Sequence, residues 1–296
     1  MPEFYTVVVN RTDAAFLTQE TRNYGLSLQF NEFHIAYCVL DYRTNKYILL
    51  HEYRRNDFIP KAKPGFKLSF DDFLRSVLTA NPWLKNPFKS VRIAFEGKKS
   101  TLIPGPLFDA QESENFLKLN FQLLPDEHVL ADHIQQFDNY NVYSIPKNLE
   151  DAAKRLFPSA RISSLTTILL QTVWMNFKTR INANRIFLHI KEKTFDILIY
   201  DGKQVKYLNT FTWMVAEDVA YFLIFVLEQL GMNPEQASVI LLGNIDRGSN
   251  LFELVYRYVK NMEFGRRNET FKYSPVFDIV APQSYYPLLN FNSCGS

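Results

Sequence analysis

The sequence predicts an α/β protein built from two copies of one folding unit. The unit is clearest between Asn184 and Ile245, where three adjacent extended runs are followed by an apolar helical segment and a further apolar run. The same order of elements begins again at Leu26, and both copies place Asn-Pro after the helix. With 296 residues the chain exceeds the usual size of one domain, so we expect two domains, 1–181 and 182–296.

In the second copy, three extended runs form a meander: 186–190, 195–199 and 205–211. Asp201-Gly202 predicts a tight hairpin turn, because glycine adopts positive φ without a Cβ clash. The segment 216–230 is apolar nearly all round, which predicts a helix buried against the sheet with Gly231 as its C-cap. The continuous apolar run 238–242 is typical of a central parallel strand.

In the first copy, the corresponding strands are predicted at 26–30, 35–40 and 47–50. Ser69 with Asp72 three residues later is a plausible capping box for a helix whose apolar stripe runs from Phe70 to Leu78. Asn81 and the proline after it end that helix, and 91–95 supplies the next strand. The order of elements therefore matches the second copy.

Further segments have no counterpart in the second copy or lie outside the repeat. A small inserted subdomain is predicted at about 100–137, with a short hairpin closed at 102–103, a helix over 108–121 and irregular or edge structure over 126–137. The remaining predicted elements are a strand at 142–145, a helix at 148–157, a short strand at 160–162, a crossover helix at 165–177, a helix at 251–262 and a strand-like run at 275–280.

The composition argues against several functional classes. The net charge is only +2 with 22% charged residues, so the chain lacks the basic surface of a dedicated nucleic-acid binder. The longest apolar run, 219–227, is too short to cross a bilayer, and the N-terminus shows no targeting signal. Two cysteines make neither a disulfide framework nor a metal quartet. We therefore expect a cytoplasmic protein without direct membrane insertion.

The repeated meander, helix and strand, joined by a crossover helix, resemble the actin-like ATPase superfamily with its ribonuclease H-like fold. The resemblance implies two halves, each a mixed sheet with flanking helices, over most of the chain. The finer similarity is to the actin-like proteins of bacterial pilus-assembly and secretion platforms, because the insertion at 108–121 falls where they carry an extra subdomain. The run 141–146 before a helix is similar to the close of their first domain. The chain also looks like an uncharacterised bacterial family assigned this fold without an established activity.

In active members of the superfamily, the resemblance implies an Asp-x-Gly loop at the first turn of each meander, where main-chain N–H groups approach phosphates and the Asp helps to place Mg²⁺. Here the second loop, 189–196, has histidine in place of that Asp and Lys-Glu-Lys in place of the glycines. Only Thr194 and Asp196 match. The first loop, 29–34, has neither a glycine nor a suitable Asp. Phosphate chemistry is therefore predicted to be lost.

The resemblance also implies a Gly-Gly contact to adenosine after the helix-to-strand step, of which Gly243 remains. With Gly248, it is one of two glycines near a possible nucleotide. Thr194, Asp196, Gly243 and Gly248 thus form a candidate remnant nucleotide site, with no catalytic residue, metal site or cofactor expected. The alternative reading is a bound ATP with Mg²⁺.

Other polar motifs have ordinary readings. The segment 246–249 lies where ligands often sit in α/β folds, but a turn in which Ser249 or Asn250 caps a helix is favoured. His128 and His133 lack zinc-motif spacing and are predicted to be surface residues. A basic stretch could receive an acidic partner or RNA, although a solvated loop is favoured; it comprises Arg54, Arg55, Lys61, Lys63 and Lys67.

Two aromatic clusters could anchor a protein partner. The first, in the predicted insertion, comprises Phe108, Phe116, Leu119 and Phe121. The second, near the C-terminus, comprises Tyr285, Tyr286, Leu288, Leu289 and Phe291.

Three functions follow from these observations. The first is an interaction or scaffold protein that keeps the actin-like architecture without phosphate chemistry. The second is an ATP-dependent phosphotransferase or ATPase with atypical loops, in which Asp196 and Thr194 handle metal and phosphate and Gly243 faces adenine. The third, implied by the resemblance to the pilus-platform proteins, is capture of a short peptide from a membrane-associated protein by the first domain.

Overall fold

A computed structural model of the protein describes residues 4–56, 68–177, 185–202 and 204–294. The chain divides into two compact units. The first comprises Met1–Ile168, Glu269–Ile279 and Pro287–Ser296, and the second comprises Leu169–Asn268 and Val280–Tyr286. Each unit has its own apolar core.

The first unit contains two sheets. Its strands are β1 Tyr5–Thr12, β2 Tyr24–Phe30, β3 His34–Asp41, β4 Lys46–Arg55, β5 Ser90–Phe95, β6 Ser100–Pro104, β7 Glu127–Ile134, β8 Asn139–Pro146 and β9 Arg161–Ser164, with the short β15 Lys272–Tyr273 from the C-terminal segment. Its helices are α1 Phe70–Ala80, α2 Ser113–Lys118 and α3 Lys147–Leu156. α4 Leu165–Phe177 begins in this unit and continues into the second, and α7 Tyr286–Asn290 begins in the second unit and ends in the first.

The larger sheet has the order β1-β4-β3-β2-β5-β9, with β15 beside β4. The β2–β3–β4 meander is antiparallel. β5 pairs parallel to β2, and β9 pairs parallel to β5. Ser69 caps α1 by accepting a hydrogen bond from the Asp72 N–H, as the predicted capping box requires. Apolar residues of α1 then pack against the sheet, and Asn81 ends the helix.

The predicted insertion is more ordered than its sequence indicated. β6, β8 and β7 form a separate antiparallel sheet in the order β6-β8-β7. The predicted strand at 142–145 is the centre of this small sheet, and the run 126–137 contains β7. β6 pairs with β8 and closes no local hairpin, and the helix predicted over 108–121 is limited to α2. Long-range pairing decided these elements, and a short window of sequence does not contain it.

The second unit contains one sheet with the order β12-β11-β10-β13-β14. The strands are β10 Arg185–Ile190, β11 Thr194–Asp201, β12 Gln204–Thr212, β13 Ser238–Gly243 and β14 Asn261–Phe264. The helices are α5 Ala216–Gln229 and α6 Asn250–Tyr258, and both pack on the core of this sheet. The helix predicted over 251–262 therefore ends at Tyr258, and its last residues belong to β14, which pairs parallel to β13.

The turns of this meander agree with the glycine pattern, with one shift. Asp201 pairs with Gln204, so the predicted turn residue Asp201 is the last residue of β11. Gly202 has a φ of +55° and Gly231 beyond α5 has a φ of +65°, conformations that glycine adopts without strain. The predicted segment 182–184 lies outside the described residues, as do Lys61, Lys63 and Lys67 of the basic stretch.

The two units repeat one pattern of strands. Reading from β4 in the first unit, the order β4-β3-β2-β5-β9 matches β12-β11-β10-β13-β14 in direction as well as sequence of pairing. In each, an antiparallel meander is extended by two parallel strands. The first unit differs by carrying β1 on the outer side of β4.

The units differ from the predicted division of the chain at 181/182. The first unit ends inside α4, after Ile168, and two C-terminal segments return to it. The physical reason is pairing between distant parts of the chain: β15 pairs with β4, and the Asn292 side chain donates hydrogen bonds to Ser27 and Tyr47. The C-terminal tail thus completes the first unit's hydrogen bonding, which no local sequence pattern reveals. No helix in the described parts of the chain is long and apolar enough to cross a membrane.

Candidate functional site

The candidate site is the tip of the β10–β11 hairpin in the second unit. The tip consists of Lys191, Glu192 and Lys193, and the Lys191 N–H donates a 2.9 Å hydrogen bond to the Thr194 carbonyl oxygen. Trp213 fixes the tip from the end of β12, because its indole N–H donates to the Lys191 carbonyl and its main-chain N–H donates to the Lys193 carbonyl, both at 3.1 Å. Main-chain hydrogen bonds and the indole N–H of an aromatic side chain therefore hold the tip in place.

Asp196 is the centre of a buried polar cluster behind this tip. Its carboxylate accepts hydrogen bonds from His189 Nδ1 at 2.9 Å, from Lys191 Nζ at 2.8 Å and from Thr210 Oγ1 at 2.7 Å. Asp196 is 1% exposed, and the His189 and Lys191 side chains are also buried. The strand register brings His189 and Thr210 beside Asp196, since they are its paired residues on β10 and β12.

The electrostatics of the cluster favour a charged carboxylate. Burial by itself raises the pKa of the Asp196 carboxyl, but the Lys191 ammonium and the His189 hydrogen bond outweigh burial and hold that pKa well below its usual range. A buried carboxylate needs a nearby positive charge, and here a lysine of the same hairpin provides it. Sequence reasoning identified Lys191 as an obstacle to phosphate; it missed that the lysine is the carboxylate's ion-pair partner.

The other predicted site residues lie in two different environments. Thr194 is buried at the start of β11, two residues from Asp196. Gly243 ends β13 beside Ile190 and has a φ of +81°. A Cβ on Gly243 would lie 2.0 Å from the Ile190 carbonyl oxygen and 3.0 Å from the His189 ring, so the glycine permits close approach of the two strands. The structure thus brings Thr194, Asp196 and Gly243 to the same end of the sheet.

The main-chain donor of Gly243 is already used. Its N–H donates a 2.9 Å hydrogen bond to the Gln283 carbonyl, and the Gln283 side chain donates to the Ile245 carbonyl at 2.7 Å. The Asn244 N–H donates to the Ile190 carbonyl at 2.8 Å. The turn that follows β13 is therefore closed by protein groups.

Gly248 lies in the exposed turn that leads into α6. In this turn the Ser249 hydroxyl accepts a hydrogen bond from the Phe252 N–H and donates one to the Asp246 carbonyl. The predicted cap at Ser249 is confirmed. An added Cβ on Gly248 would meet no atom within 4 Å, so the fold places no close-approach requirement on this glycine.

The first hairpin tip, between β2 and β3, is closed in another way. The Asn31 side chain accepts a 2.8 Å hydrogen bond from the Phe33 N–H, and the Asn31 N–H donates to the His34 carbonyl at 3.0 Å. The Arg55 guanidinium lies 4.4 Å from the centre of the Phe33 ring. This tip therefore consists of an Asx turn and a cation–π contact.

The histidines considered as metal ligands contact separate carboxylates. His128 Nδ1 lies 2.6 Å from a Glu150 oxygen, and His133 Nε2 lies 3.1 Å from an Asp138 oxygen. A search of the described residues finds no group of three or more His, Cys, Asp or Glu side chains arranged to hold a metal ion. Both cysteines are buried, and burial raises the pKa of the Cys294 thiol to about 12.

A second buried carboxylate, Asp132 in β7, had no signal in the sequence beyond its residue type. It accepts a 2.8 Å hydrogen bond from the Ser164 N–H, immediately before α4. Burial raises the pKa of the Asp132 carboxyl to about 6, although the Ser164 N–H favours its charged form. The carboxylate thus occupies the N-terminal end of α4, where an anion is stabilised by unpaired N–H groups.

The two predicted aromatic clusters have different outcomes. In the C-terminal cluster, Tyr286, Leu288, Leu289 and Phe291 are buried and belong to the protein's interior, so their prediction as partner anchors is wrong. In the first cluster, Phe108 stacks on Tyr140 with ring centroids 3.8 Å apart, whereas Leu119 is 80% exposed. Hydrophobicity alone did not distinguish an interior segment from a surface one.

A search of curated proteins finds no match. One solved structure that matches is a Bacteroides thetaiotaomicron VPI-5482 protein with actin-like ATPase fold and unknown function, at 20% identity and a TM-score of 0.74, covering 95% of this chain and 100% of that chain. Another is the PilM–PilN type IV pilus biogenesis complex, at 12% identity and a TM-score of 0.54, covering 90% of this chain and 96% of that chain.

These similarities confirm the predicted fold. The chain has a mixed α/β architecture that matches the actin-like ATPase fold. A family model described as "Protein of unknown function (DUF3822)" matches residues 13–262, which is most of the chain. The chain therefore belongs to the DUF3822 family.

Proposed function

We propose that this protein is an actin-like fold without phosphate chemistry that serves as an interaction or scaffold protein in the cytoplasm. The observation that carries the proposal is the position of the Lys191 ammonium, 2.8 Å from Asp196 Oδ1 in a buried cluster. His189 stands where an active loop would have the Asp that helps to place Mg²⁺, and Asp196, the acid that remains in this loop, is already neutralised by an internal cation. No nucleotide cofactor is expected.

Three features make binding of a metal–nucleotide complex unfavourable at this tip. A Mg²⁺ ion near Asp196 would have to displace a buried ammonium or share its carboxylate, and both arrangements leave a charge poorly compensated. The Gly243 N–H is occupied by Gln283. Glu192 is exposed at the tip and would repel a phosphate.

Isothermal titration with Mg-ATP and Mg-ADP tests the proposal. We expect no saturable heat from the wild-type protein and no phosphate release. Micromolar binding together with turnover would overturn it and would support the alternative, an ATP-dependent phosphotransferase or ATPase with atypical loops. Under that alternative Asp196→Ala abolishes turnover, and unchanged activity in this variant would exclude it.

The expected partner is another protein. The PilM–PilN similarity supports this class of partner, because that structure is a complex of two proteins. Capture of a short peptide from a membrane-associated protein by the first unit is the specific form that we consider. A nucleic-acid partner is not expected, since the net charge is only +2. A cross-linked pull-down from native cells that returns no stoichiometric partner would count against the interaction role.

A further inference from the structure

The outer edge of β12 is unpaired within the described part of the chain. β12 is the terminal strand of the second unit's sheet, and none of the described strands pairs with its outer side. The Thr210 N–H donates to the neighbouring Asn209 side chain at 2.9 Å, so it points away from β11. Because alternate residues of an antiparallel strand face the same way, Leu208 and Thr212 also direct their main-chain groups outward.

The first unit shows how this fold completes such an edge. β4 is the strand that corresponds to β12, and its outer side is covered by β1 in antiparallel register from Tyr5 to Thr12. The covering strand brings an aromatic side chain with it: the Tyr5 and Tyr53 rings meet edge to face, 5.1 Å apart. An antiparallel strand with an apolar side chain is therefore the occupant that this architecture accepts.

An exposed aromatic surface adjoins the open edge. Phe211 of β12 stacks on Phe222 of α5 at 4.6 Å, Phe222 contacts Tyr221 at 5.3 Å, and Tyr221 stacks on Phe225 at 6.2 Å. Tyr221 is 62% exposed, Phe225 is 45% exposed, and Met214 before the helix is 90% exposed. α5 packs against the sheet as predicted, but it does so with one face only, and apolar side chains on its other face stay exposed. An apolar surface continuous with an unpaired strand is typical of a binding site.

The charges on this surface select the partner. α5 carries Glu217, Asp218 and Glu228 and contains no lysine or arginine. The lysine of β12, Lys206, lies 4.0 Å from the Asp201 carboxylate. The surface is therefore acidic as well as aromatic. It would repel a second copy presented through the same face and an anionic lipid surface, whereas a basic segment is attracted to it.

We propose that the outer edge of β12 and the adjoining face of α5 bind an extended basic segment of a partner protein, which adds to β12 as an antiparallel strand. This inference rests on the proposed interaction function in its general form, and it assigns to that function a surface of the second unit, separate from the first-unit peptide capture considered above, together with the chemistry of the partner. Main-chain hydrogen bonds to β12 supply affinity, and apolar side chains against Tyr221 and Phe225 supply specificity.

Fluorescence anisotropy with a labelled peptide of alternating valine and lysine tests the proposal on the full-length chain. We expect saturable binding that weakens at least about tenfold in the double variant Tyr221→Ala/Phe225→Ala, which removes the aromatic anchors. The matched control is Tyr256→Ala on α6, where an equally exposed aromatic residue is removed away from the edge without effect. Equal binding by the Tyr221/Phe225 double variant and wild type would overturn the assignment of the surface.

Two further arms separate strand addition from other occupants. The same peptide with N-methyl groups on alternate residues cannot donate to β12 and should lose its binding, as should a valine–glutamate peptide. Equal binding by the methylated peptide would refute strand addition, and equal binding by the acidic peptide would refute charge selection. Leu208→Pro removes a main-chain donor from the edge and should abolish binding, while the circular dichroism spectrum stays native. If Leu208→Pro does not fold, the binding measured for Tyr221→Ala/Phe225→Ala tests the proposal instead.

Sedimentation velocity and flotation with anionic vesicles test the two rejected occupants. A wild-type dimer that Leu208→Pro dissociates would assign the edge to a second copy, and vesicle binding lost in Tyr221→Ala/Phe225→Ala would assign it to lipid; each result overturns the proposal. Failure of this binding-surface proposal can be distinguished from failure of the proposed loss of phosphate chemistry. The nucleotide titration addresses the β10–β11 tip alone, and the peptide titration addresses β12 and α5 alone.

Discussion

The two meanders end their first hairpins with the same geometry and with different chemistry. Both tips have three residues between the strands, so Gln29, Asn31 and Ala36 correspond to His189, Lys191 and Asp196. The first tip is held by a neutral Asx turn and a ring–guanidinium contact. The second is held by a buried ion cluster. A hairpin of this fold therefore does not need buried charge, and the second unit has a carboxylate at the position where the first has alanine.

The strands beside the tips differ in the same way. Phe30 pairs with Phe95, while Ile190 pairs with Gly243. In the first unit the paired Phe30 and Phe95 rings fill this end of the two parallel strands, with their centroids 6.4 Å apart. In the second unit the same corner has room only for a glycine. The second corner thus retains glycine and acid together, although both are now used for packing and ion pairing.

The largest expected effect comes from removing the cation of the second tip. Lys191→Ala leaves Asp196 buried with its main positive partner gone, so the free energy of unfolding should fall by about 3–5 kcal/mol, measured by urea denaturation. Asn31→Ala at the first tip is the matched control and should cost about 1 kcal/mol, since it removes one neutral hydrogen bond.

A double variant sharpens this comparison. Lys191→Met combined with Asp196→Leu removes both charges, and it should be more stable than either single variant, because neither ion is left unpaired. Additive losses from the two substitutions would show that the residues do not act as an ion pair, and the contrast between the two tips would then fail.

The next largest effect concerns the corner glycine. Gly243→Ala should lower the free energy of unfolding by about 2–4 kcal/mol, because its Cβ would meet the Ile190 carbonyl oxygen at 2.0 Å in a backbone with a φ of +81°. Gly248→Ala, in open space, should stay within about 0.5 kcal/mol of wild type. Thermal unfolding of both variants measures the difference, and equal melting temperatures would contradict the account of this corner.

A pH titration distinguishes stabilisation by a buried neutral histidine in the first unit from stabilisation by the ion cluster of the second. His51 in β4 of the first unit lies 2.9 Å from the Thr12 hydroxyl and 3.0 Å from the Tyr37 hydroxyl, and burial lowers its pKa to about 4. The unfolded chain, with a histidine pKa of about 6.5, binds more protons than the folded chain between these values. The histidine's contribution to stability should therefore fall, by on the order of 3 kcal/mol, as the pH is lowered from about 6.5 to 4.

His51→Gln provides the measurement, because glutamine does not titrate. Urea midpoints at pH 7 and pH 4.5 should show the stability difference between wild type and variant shrinking at the lower pH. Asp196 should contribute little slope between pH 7 and 4.5, since its folded-state pKa is lowered and its stabilisation is lost mainly below the unfolded-chain carboxyl pKa of about 3.9. A difference that does not change with pH would contradict the buried neutral histidine.

The smallest expected effect is at the first tip. Phe33→Ala removes the ring beneath the Arg55 guanidinium and should lower the free energy of unfolding by about 0.5–1 kcal/mol, as is usual for an exposed cation–π contact. Phe33→Tyr keeps the ring and should behave as wild type in the same urea titration. A loss as large as that of Lys191→Ala would remove the distinction between the two tips.

Much of the fold was predictable because its signals are local. The period-2 alternation of β10 and β11, the caps at Ser69 and Ser249 and the positive φ of Gly231 all follow from neighbouring residues. Thr194 and Asp196 could be assigned to one strand for the same reason, since they lie two residues apart. Elements made by distant pairing, such as β6 with β8 or β15 with β4, could not be predicted from a local window.

The sequence by itself determined two meanders with a helix and a parallel strand each, and tips in which lysine, glutamate and asparagine replace glycine, because these are properties of residue type and spacing. Only the tertiary structure decided that Lys191 turns inward to neutralise Asp196, that the C-terminal tail completes the first unit, and that β1 covers one sheet edge while β12 has no outer partner among the described strands. The physical reason is that charge pairing and strand pairing depend on where side chains and strands lie in three dimensions, and residue type and spacing along the chain do not give those positions.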